Sequence, residues 1–271
     1  MQENYHFYSA DSPILISIPH AGTRIPVTIA CNMTAAALQM PDTDWHVPLL
    51  YDFAKNCGAS VLQADNSRYV IDLNRPQDNA PLYLGQDFTD LCPIDTFGKQ
   101  AIYDESKQPD SAEIQRRITE YWQPYHAKLA IELQRIRAIY GIAILWDAHS
   151  IASNVPRFFD GKLPDLNFGT ADSQSCAASL QEALANTMQQ STHAKKYSHV
   201  FNGRFKGGYI TRQYGKPAAN IHAIQLEISQ CIYMQESAPY AYKPDLAKKL
   251  KLLLEDLLQS CTHWANQLKT I

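Results

Sequence analysis

Between Gly141 and Ser150 the chain reads GIAILWDAHS: five apolar residues in a row, Ile142 to Trp146, and then Asp147, His149 and Ser150. A run without alternation leaves no face for water. It predicts a strand covered on both sides, as in sheets flanked by helices. Ile14 to Ile18 has the same form, apolar except for Ser17, and leads into Pro19-His20-Ala21-Gly22. In open α/β sheets the chemistry sits outside the carboxyl ends of the strands, so polar residues that follow buried strands are candidates for it. One histidine in such a place would more simply cap its strand. Two of them suggest two ligands of one metal ion.

Further strands are expected at Ser60–Leu62, Tyr69–Ile71, Tyr197–Phe201 and His222–Ile228. Residues 1–13 read as an irregular lead-in, and 34–40 as a short helix. Pro48 suits the first turn of a helix with Leu49, Leu50, Phe53 and Ala54 inward and Gly58 at its end. The clearest helix is 111–140, with Ser111 as its cap, an apolar stripe through Leu129, Leu133 and Ile136, and a kink or break at Pro124. Helices are also expected at Cys176–Gln190 and Lys243–Lys269, the latter with Leu246, Leu250, Leu253, Leu254, Leu257 and Leu258 inward. Residues 76–112 form a long irregular excursion. Tyr83, Leu84, Phe88, Phe97 and Tyr103 give it enough apolar surface to pack near an active site. Residues 152–175 read as a polar segment and 202–212 as a glycine-bearing loop. No repeat or linker divides the 271 residues, so the expectation is one α/β domain spanning 1–271.

A net charge of −3 offers no basic field for nucleic acid. The six cysteines are scattered, without a CxxC, which argues against a cysteine zinc site or a disulfide framework. The N-terminus lacks the basic and apolar regions of a signal peptide, and no apolar run approaches the roughly 20 residues that span a bilayer. These features predict a cytoplasmic protein that acts on a small molecule, with no nucleic-acid or membrane partner. They say nothing of oligomeric state.

Polar residues gather at the ends of the apolar strands: His20, Arg68, Asp72, Asn74, Arg75, Asp147, His149 and Glu227, with Asp42, Asp44 and His46 in a loop before a helix. A catalytic zinc site takes three ligands from His, Asp or Glu and keeps one position open. His20, His149 and one carboxylate satisfy that. Glu227 lies inside the apolar stretch Ile224–Ile228, where a charge is costly unless it faces a polar site; the other reading is a solvated face of an edge strand. It is the candidate for moving protons. Arg68, Arg75 and Arg212 could clamp the carboxylates of an anionic substrate, since guanidinium is planar and always charged. Gly207-Gly208 either lets the backbone approach a ligand or makes a plain turn. Ser150 and Cys231 are possible nucleophiles of a metal-free enzyme, but neither stands in a GxSxG context. A non-enzymatic binder of acidic amino acids is the remaining reading.

Seven blocks in order carry a resemblance: IPHAGTRIP (18–26), DTDWHVPLLYDFA (42–54), SRYVIDLNRP (67–76), DAHS (147–150), GTADS (169–173), KGGYITRQYGKP (206–217) and QLEIS (225–229). Together they resemble the N-formylglutamate deformylase (N-formylglutamate amidohydrolase) family. The resemblance implies hydrolysis of N-formyl-L-glutamate to formate and L-glutamate in histidine degradation. It implies a three-layer α/β/α sandwich with a mixed central sheet, similar to the zinc carboxypeptidases and described as phosphorylase/hydrolase-like. It implies one divalent ion, zinc by that analogy, although His and carboxylate ligands suit several metals. The wider group draws its first two ligands from His-x-x-Glu. Position 23 here is Thr, so Asp44 is expected as the remaining ligand, with His46 the alternative. Glu227 matches the group's general base in chain order. Arg75 with Asn74, Arg68 or Arg212, and the Gly207-Gly208 backbone are the expected substrate contacts.

Overall fold

Seven strands form one mixed sheet in the computed structural model, which describes residues 4–82 and 85–268; Tyr83, Leu84 and Lys269, named above, lie outside the described residues. The strands are β1 (Tyr5–Tyr8), β2 (Ile14–Ile18), β3 (Ser60–Ala64), β4 (Ala143–Ile151), β5 (Leu166–Gly169), β6 (His199–Phe201) and β7 (Ile221–Ser229). Their order is β1-β3-β2-β4-β7-β5-β6. The central four, β3, β2, β4 and β7, are parallel, while β1 and the β5–β6 pair run against them. The helices are α1 (Val27–Ala30), α2 (Val47–Leu50), α3 (Ser111–Arg117), α4 (Gln123–Tyr140), α5 (Ala178–Gln190), α6 (Tyr209–Tyr214) and α7 (Pro244–Leu268).

The strand pleat divides the core into two layers. Ile14, Ile16 and Ile18 of β2, Ile144 and Trp146 of β4, and Ile224, Leu226 and Ile228 of β7 pack with α2, α5 and α7. Leu15, Ala143, Leu145 and Ala223 face the other way, against Tyr125, Leu129, Leu133 and Ile136 of α4. This is a three-layer α/β/α sandwich. Each fully buried aliphatic side chain contributes about 1.5–3 kcal/mol, so both layers are needed to hold the central strands flat between them.

Several sequence expectations change on inspection. Tyr69–Ile71 is buried but is no strand: Val70 N bonds back to Ser67 O in a turn, and the next polar residue, Asp72, bonds through its N to Leu91 O of the 76–112 excursion rather than to a strand. The lead-in contains β1, the polar segment contains β5, and the glycine loop runs into α6 from Tyr209. Leu49 and Leu246, expected inward, are exposed. The long helix does divide near Pro124, through a π-helical turn at Ile118–Trp122. Proline has no N–H for the carbonyl four residues earlier, Glu120, and Asn4 Nδ2 donates to that oxygen instead at 2.7 Å. The cap is Asp110 rather than Ser111, its carboxylate accepting from Glu113 N at 2.8 Å. No helix among the described residues is long and apolar enough to cross a membrane.

Candidate active site

β2, β4 and β7 lie side by side and run parallel, so their carboxyl ends share one edge. On one face of β4 the sequence passes from Ala143 and Leu145 to Asp147 and His149. On the same face of β7 it passes from Ala223 to Gln225 and Glu227. The register pairs Asp147 with Gln225 and His149 with Glu227. Residues paired across strands point to the same side, so these four side chains form one polar patch over an otherwise apolar sheet. Glu227 is therefore on a central strand, flanked by β4 and β5, and not on the solvated face of an edge strand. β4 also runs through Asp147 and His149 to Ile151, further than its apolar run suggested.

His20 follows β2 by two residues, and its carbonyl accepts from Asp44 N at 3.1 Å, which draws the loop before α2 to the sheet edge. His20, Asp44 and His149 are all buried, with one donor atom from each within 4.8 Å of the others. Asp44 Oδ2 lies 3.1 Å from His149 Nδ1 and 3.9 Å from His20 Nδ1. The opposite ring nitrogens face other carboxylates. His20 Nε2 donates to Asp72 Oδ1 at 2.7 Å, and His149 Nε2 lies 3.2 Å from Asp147 Oδ1, an ion-pair distance off hydrogen-bond alignment. At His20 a proton held on Nε2 by a carboxylate turns the Nδ1 lone pair inward, the arrangement that orients metal-binding histidines, whereas His149 is hydrogen-bonded through Nδ1 to Asp44 and its Nε2 lies 3.2 Å from Asn74 Nδ2. Asp44 Oδ1 has no hydrogen-bond partner; its nearest cation is Arg68 NH1 at 3.6 Å. An orphaned buried carboxylate oxygen beside the Nδ1 atoms of two buried imidazoles fits a divalent metal ion. His46 is not part of this group, because its Nε2 donates to the Tyr240 carbonyl at 2.7 Å.

The donor group forms the floor of an open cavity whose walls carry Leu82, Phe88, Phe97, Phe158 and Phe205. Arg68, Asn74, Arg75, Gly208 and Glu227 reach its wall, while Gly207 and Arg212 do not. Arg212 Nε instead donates to the Gly207 carbonyl at 2.9 Å. Gly207, at φ 112°, takes a conformation that side chains resist. Gly208 lies so close to Asn74 that a Cβ would come within 2.2 Å of the amide nitrogen. The glycine pair thus serves a close packing of the 202–208 loop on Asn74. Asp72, named above among the polar residues at strand ends, lines the cavity too, and so do Arg204 and Gln225, which were not expected there. Period-two spacing from Glu227 could have found Gln225. Nothing in the sequence distinguished Arg204.

The family model for N-formylglutamate amidohydrolase matches residues 12–234. The chain belongs to the N-formylglutamate amidohydrolase family. It is thereby an amide-cleaving hydrolase. It is 47% identical over 264 residues to an N-formylglutamate deformylase of Pseudomonas putida, covering 97% of both chains. It is equally 47% identical to an N-formylglutamate deformylase of Pseudomonas aeruginosa, over 98% of this chain and 99% of that one. In fold it is similar to the crystal structure of N-formylglutamate amidohydrolase from Ralstonia eutropha JMP134, with a TM-score of 0.79 at 24% identity over 97% and 98% of the two chains. It is also similar to a gene product of Agrobacterium tumefaciens, with a TM-score of 0.71 at 16% identity over 97% and 96%.

The electrostatics of this amidohydrolase centre on buried acids matched by buried cations. Burial disfavours the Asp72 carboxylate, but His20 and Arg68 outweigh it and hold its pKa well below the usual range. Burial likewise opposes charge on His149, yet Asp147 and Asp44 raise its pKa well above the ordinary imidazole value. His20 goes the other way, lowered by burial and by the Arg68 guanidinium. Glu227 is pushed up to about 8, chiefly by burial, with His149 pulling against it and Asp44 adding to it. A carboxylate of raised basicity directly across a strand pair from His149 is equipped to accept a proton and give it back.

Proposed function

We propose that the chain hydrolyses N-formyl-L-glutamate to formate and L-glutamate as one amidohydrolase unit over residues 1–271, in the cytoplasm, as a step of histidine degradation. His20, Asp44 and His149 hold one divalent ion, zinc by analogy with the zinc carboxypeptidases, and Glu227 carries the proton. The observation that carries the reading is the pairing of Glu227 with His149 across β4 and β7, beside a three-donor group with an orphaned oxygen. The substrate comes from the near full-length relatives.

A divalent ion in this position supplies Lewis acidity for the formyl oxygen and makes water a stronger acid. The chain's own residues do the rest. Glu227 takes a proton from the attacking water as its oxygen adds to the formyl carbon. When the carbon–nitrogen bond breaks, Glu227 returns that proton to the departing nitrogen, so one carboxylate ends in the state in which it began. Asp72 keeps the His20 ring oriented, Asp44 and Asn74 that of His149, and the Asp147 charge stands beside it. Asn74, its Oδ1 fixed by Ile210 N at 2.8 Å, presents its amide beside His149, and Arg75 follows it to bind a carboxylate of the substrate. Arg68 is bonded to Asp72 at 2.7 Å and balances the acid charge of the floor.

Dialysis against a chelator should abolish formate release from N-formyl-L-glutamate, and a stoichiometric divalent metal should restore it. Full activity in protein shown by elemental analysis to be metal-free would reject the metal assignment. Formate release from other N-acyl acidic amino acids, but not this one, would move the substrate while keeping the reaction class.

A further inference from the structure

Three arginines reach the cavity wall among the described residues, Arg68, Arg75 and Arg204, and the substrate proposed above carries two carboxylates. Arg68 is bonded to Asp72 and faces Asp44, so its charge belongs to the floor. Arg75 follows Asn74 directly, next to the segment that orients His20 and His149. Its Cζ lies 5.4 Å from the Phe88 ring. Arg204 stands on the loop after β6, at the far edge of the sheet from β3, between Phe158 and Phe205. Its Cζ is 5.9 and 5.5 Å from those rings, and its Nε donates to the Phe158 carbonyl.

We propose that Arg204 is the specificity-determining residue for the side-chain carboxylate of the substrate, with Arg75 holding the α-carboxylate; this rests on the amidohydrolase reading above. The α-carboxylate is bonded to the carbon that bears the scissile nitrogen, so it must lie near the floor, where Arg75 enters. The side-chain carboxylate carbon is three bonds from that carbon, against one for the α-carboxylate, and needs a cation set back from the floor. Arg204 supplies it from the part of the wall that carries Phe158 and Phe205. With Nε bonded to the Phe158 carbonyl, the guanidinium is anchored at the wall, and as a planar, permanently charged donor it suits a carboxylate. The aromatic rings thin the water around that pair, which strengthens it and makes a neutral group in the same place costly.

The spacing of the two cations is also built in. Gly208 packs on the Asn74 side chain, Gly208 N donates to Gln225 Oε1 at 2.7 Å, and Tyr209 N to Asn74 O at 3.3 Å. The loop carrying Arg204 is thereby fastened to the segment carrying Arg75. The one acid on the outer wall, Asp87, is engaged by Arg157 at 2.9 Å and Lys99 at 2.9 Å, so its charge is compensated from outside.

The test compares Arg204→Gln and Arg204→Lys with the wild type, on N-formyl-L-glutamate and on N-formyl-L-glutamine, whose side chain is neutral. Formate release gives kcat/KM, and calorimetry gives the affinity of L-glutamate and L-glutamine without turnover. In Arg204→Gln, kcat/KM for the glutamate compound should fall about 10- to 100-fold, as expected for one charge-assisted contact. The glutamine compound should change by less than about threefold, which also shows that the variant is folded. Arg204→Lys should keep part of the preference. An unchanged glutamate preference in Arg204→Gln, or an equal loss on both substrates with Arg204→Lys behaving the same way, would overturn the assignment. A wild type that releases formate from neither compound would instead reject the amidohydrolase reading, and the inference with it.

Discussion

Asp72→Asn removes one charge from a carboxylate that three groups share. Asp72 Oδ1 accepts from His20 Nε2 at 2.7 Å and from Asn74 N at 2.8 Å, while Oδ2 accepts from Arg68 NH2 at 2.7 Å. An amide has a single acceptor oxygen. Turned to keep His20 and Asn74, it points its NH2 at the Arg68 guanidinium; turned to keep Arg68, it points its NH2 at two N–H donors. Either way buried donors face each other. Breaking a buried pair from one side costs about 3–5 kcal/mol. Arg68 is 11% exposed and retains Asp44 at 3.6 Å, so the loss should fall at the lower end, about 3 kcal/mol. Loss of the negative charge also makes His20 a poorer donor, which for such supporting carboxylates weakens metal binding about 10- to 100-fold. The assays are thermal unfolding of the metal-free protein and competition for zinc against a chromophoric chelator. Zinc affinity within twofold of wild type would refute the role given to Asp72 in orienting His20, whatever happens to stability.

Glu227→Gln is nearly isosteric and should lower kcat by about 10²–10⁴ while metal content and substrate affinity are kept; loss of the metal would make Glu227 a ligand, and a near-normal kcat would move the base elsewhere, with Asp147 next. Gly208→Ala drives a methyl into Asn74, so it should cost about 1–3 kcal/mol of stability in chemical denaturation and lower kcat/KM, since Asn74 must shift away from His149. His126 and His222 are buried as neutral rings, their pKa values lowered by burial to about 3 and about 4. An unfolded histidine takes up its proton near pH 6.5, so the unfolded state binds more protons between there and pH 3–4. Stability contributed by these two rings should be complete above about pH 6.5 and fall on acidification, by up to about 1.4 kcal/mol per pH unit for each proton. In His126→Gln the acid-dependent slope of denaturation free energy between pH 6.5 and 4 should shrink; an unchanged slope would show that other groups set it.

The central strands were legible because their physics is local. Burial on both faces demands uninterrupted apolar residues, and Ile14–Ile18 and Ile142–Trp146 can satisfy nothing else. The helices 111–140 and 243–269 announced themselves by periodicity, and Pro124 marked its break because a missing N–H is a local fact. His20, His149 and Glu227 stood out for a related reason: each is a polar residue in or just after such a strand. The short elements were hidden. β1, β5 and α6 are four to six residues long, too short for a period to show, and they exist because a neighbouring strand or loop satisfies their backbone. Strand order was equally invisible, and it alone decides that Glu227 stands opposite His149 rather than on an edge. The choice of Asp44 over His46 turned on which side chain the loop before α2 aims at the two histidines, after a backbone bond to His20 has placed it. Arg204 lines the cavity wall and Arg212 does not, its Nε turned to the Gly207 carbonyl, and both outcomes depend on how the loop after β6 folds. Residue type and spacing determined what chemistry the chain could do; which of its many charged groups meet was decided by contacts between segments far apart in the sequence, and no local pattern encodes those.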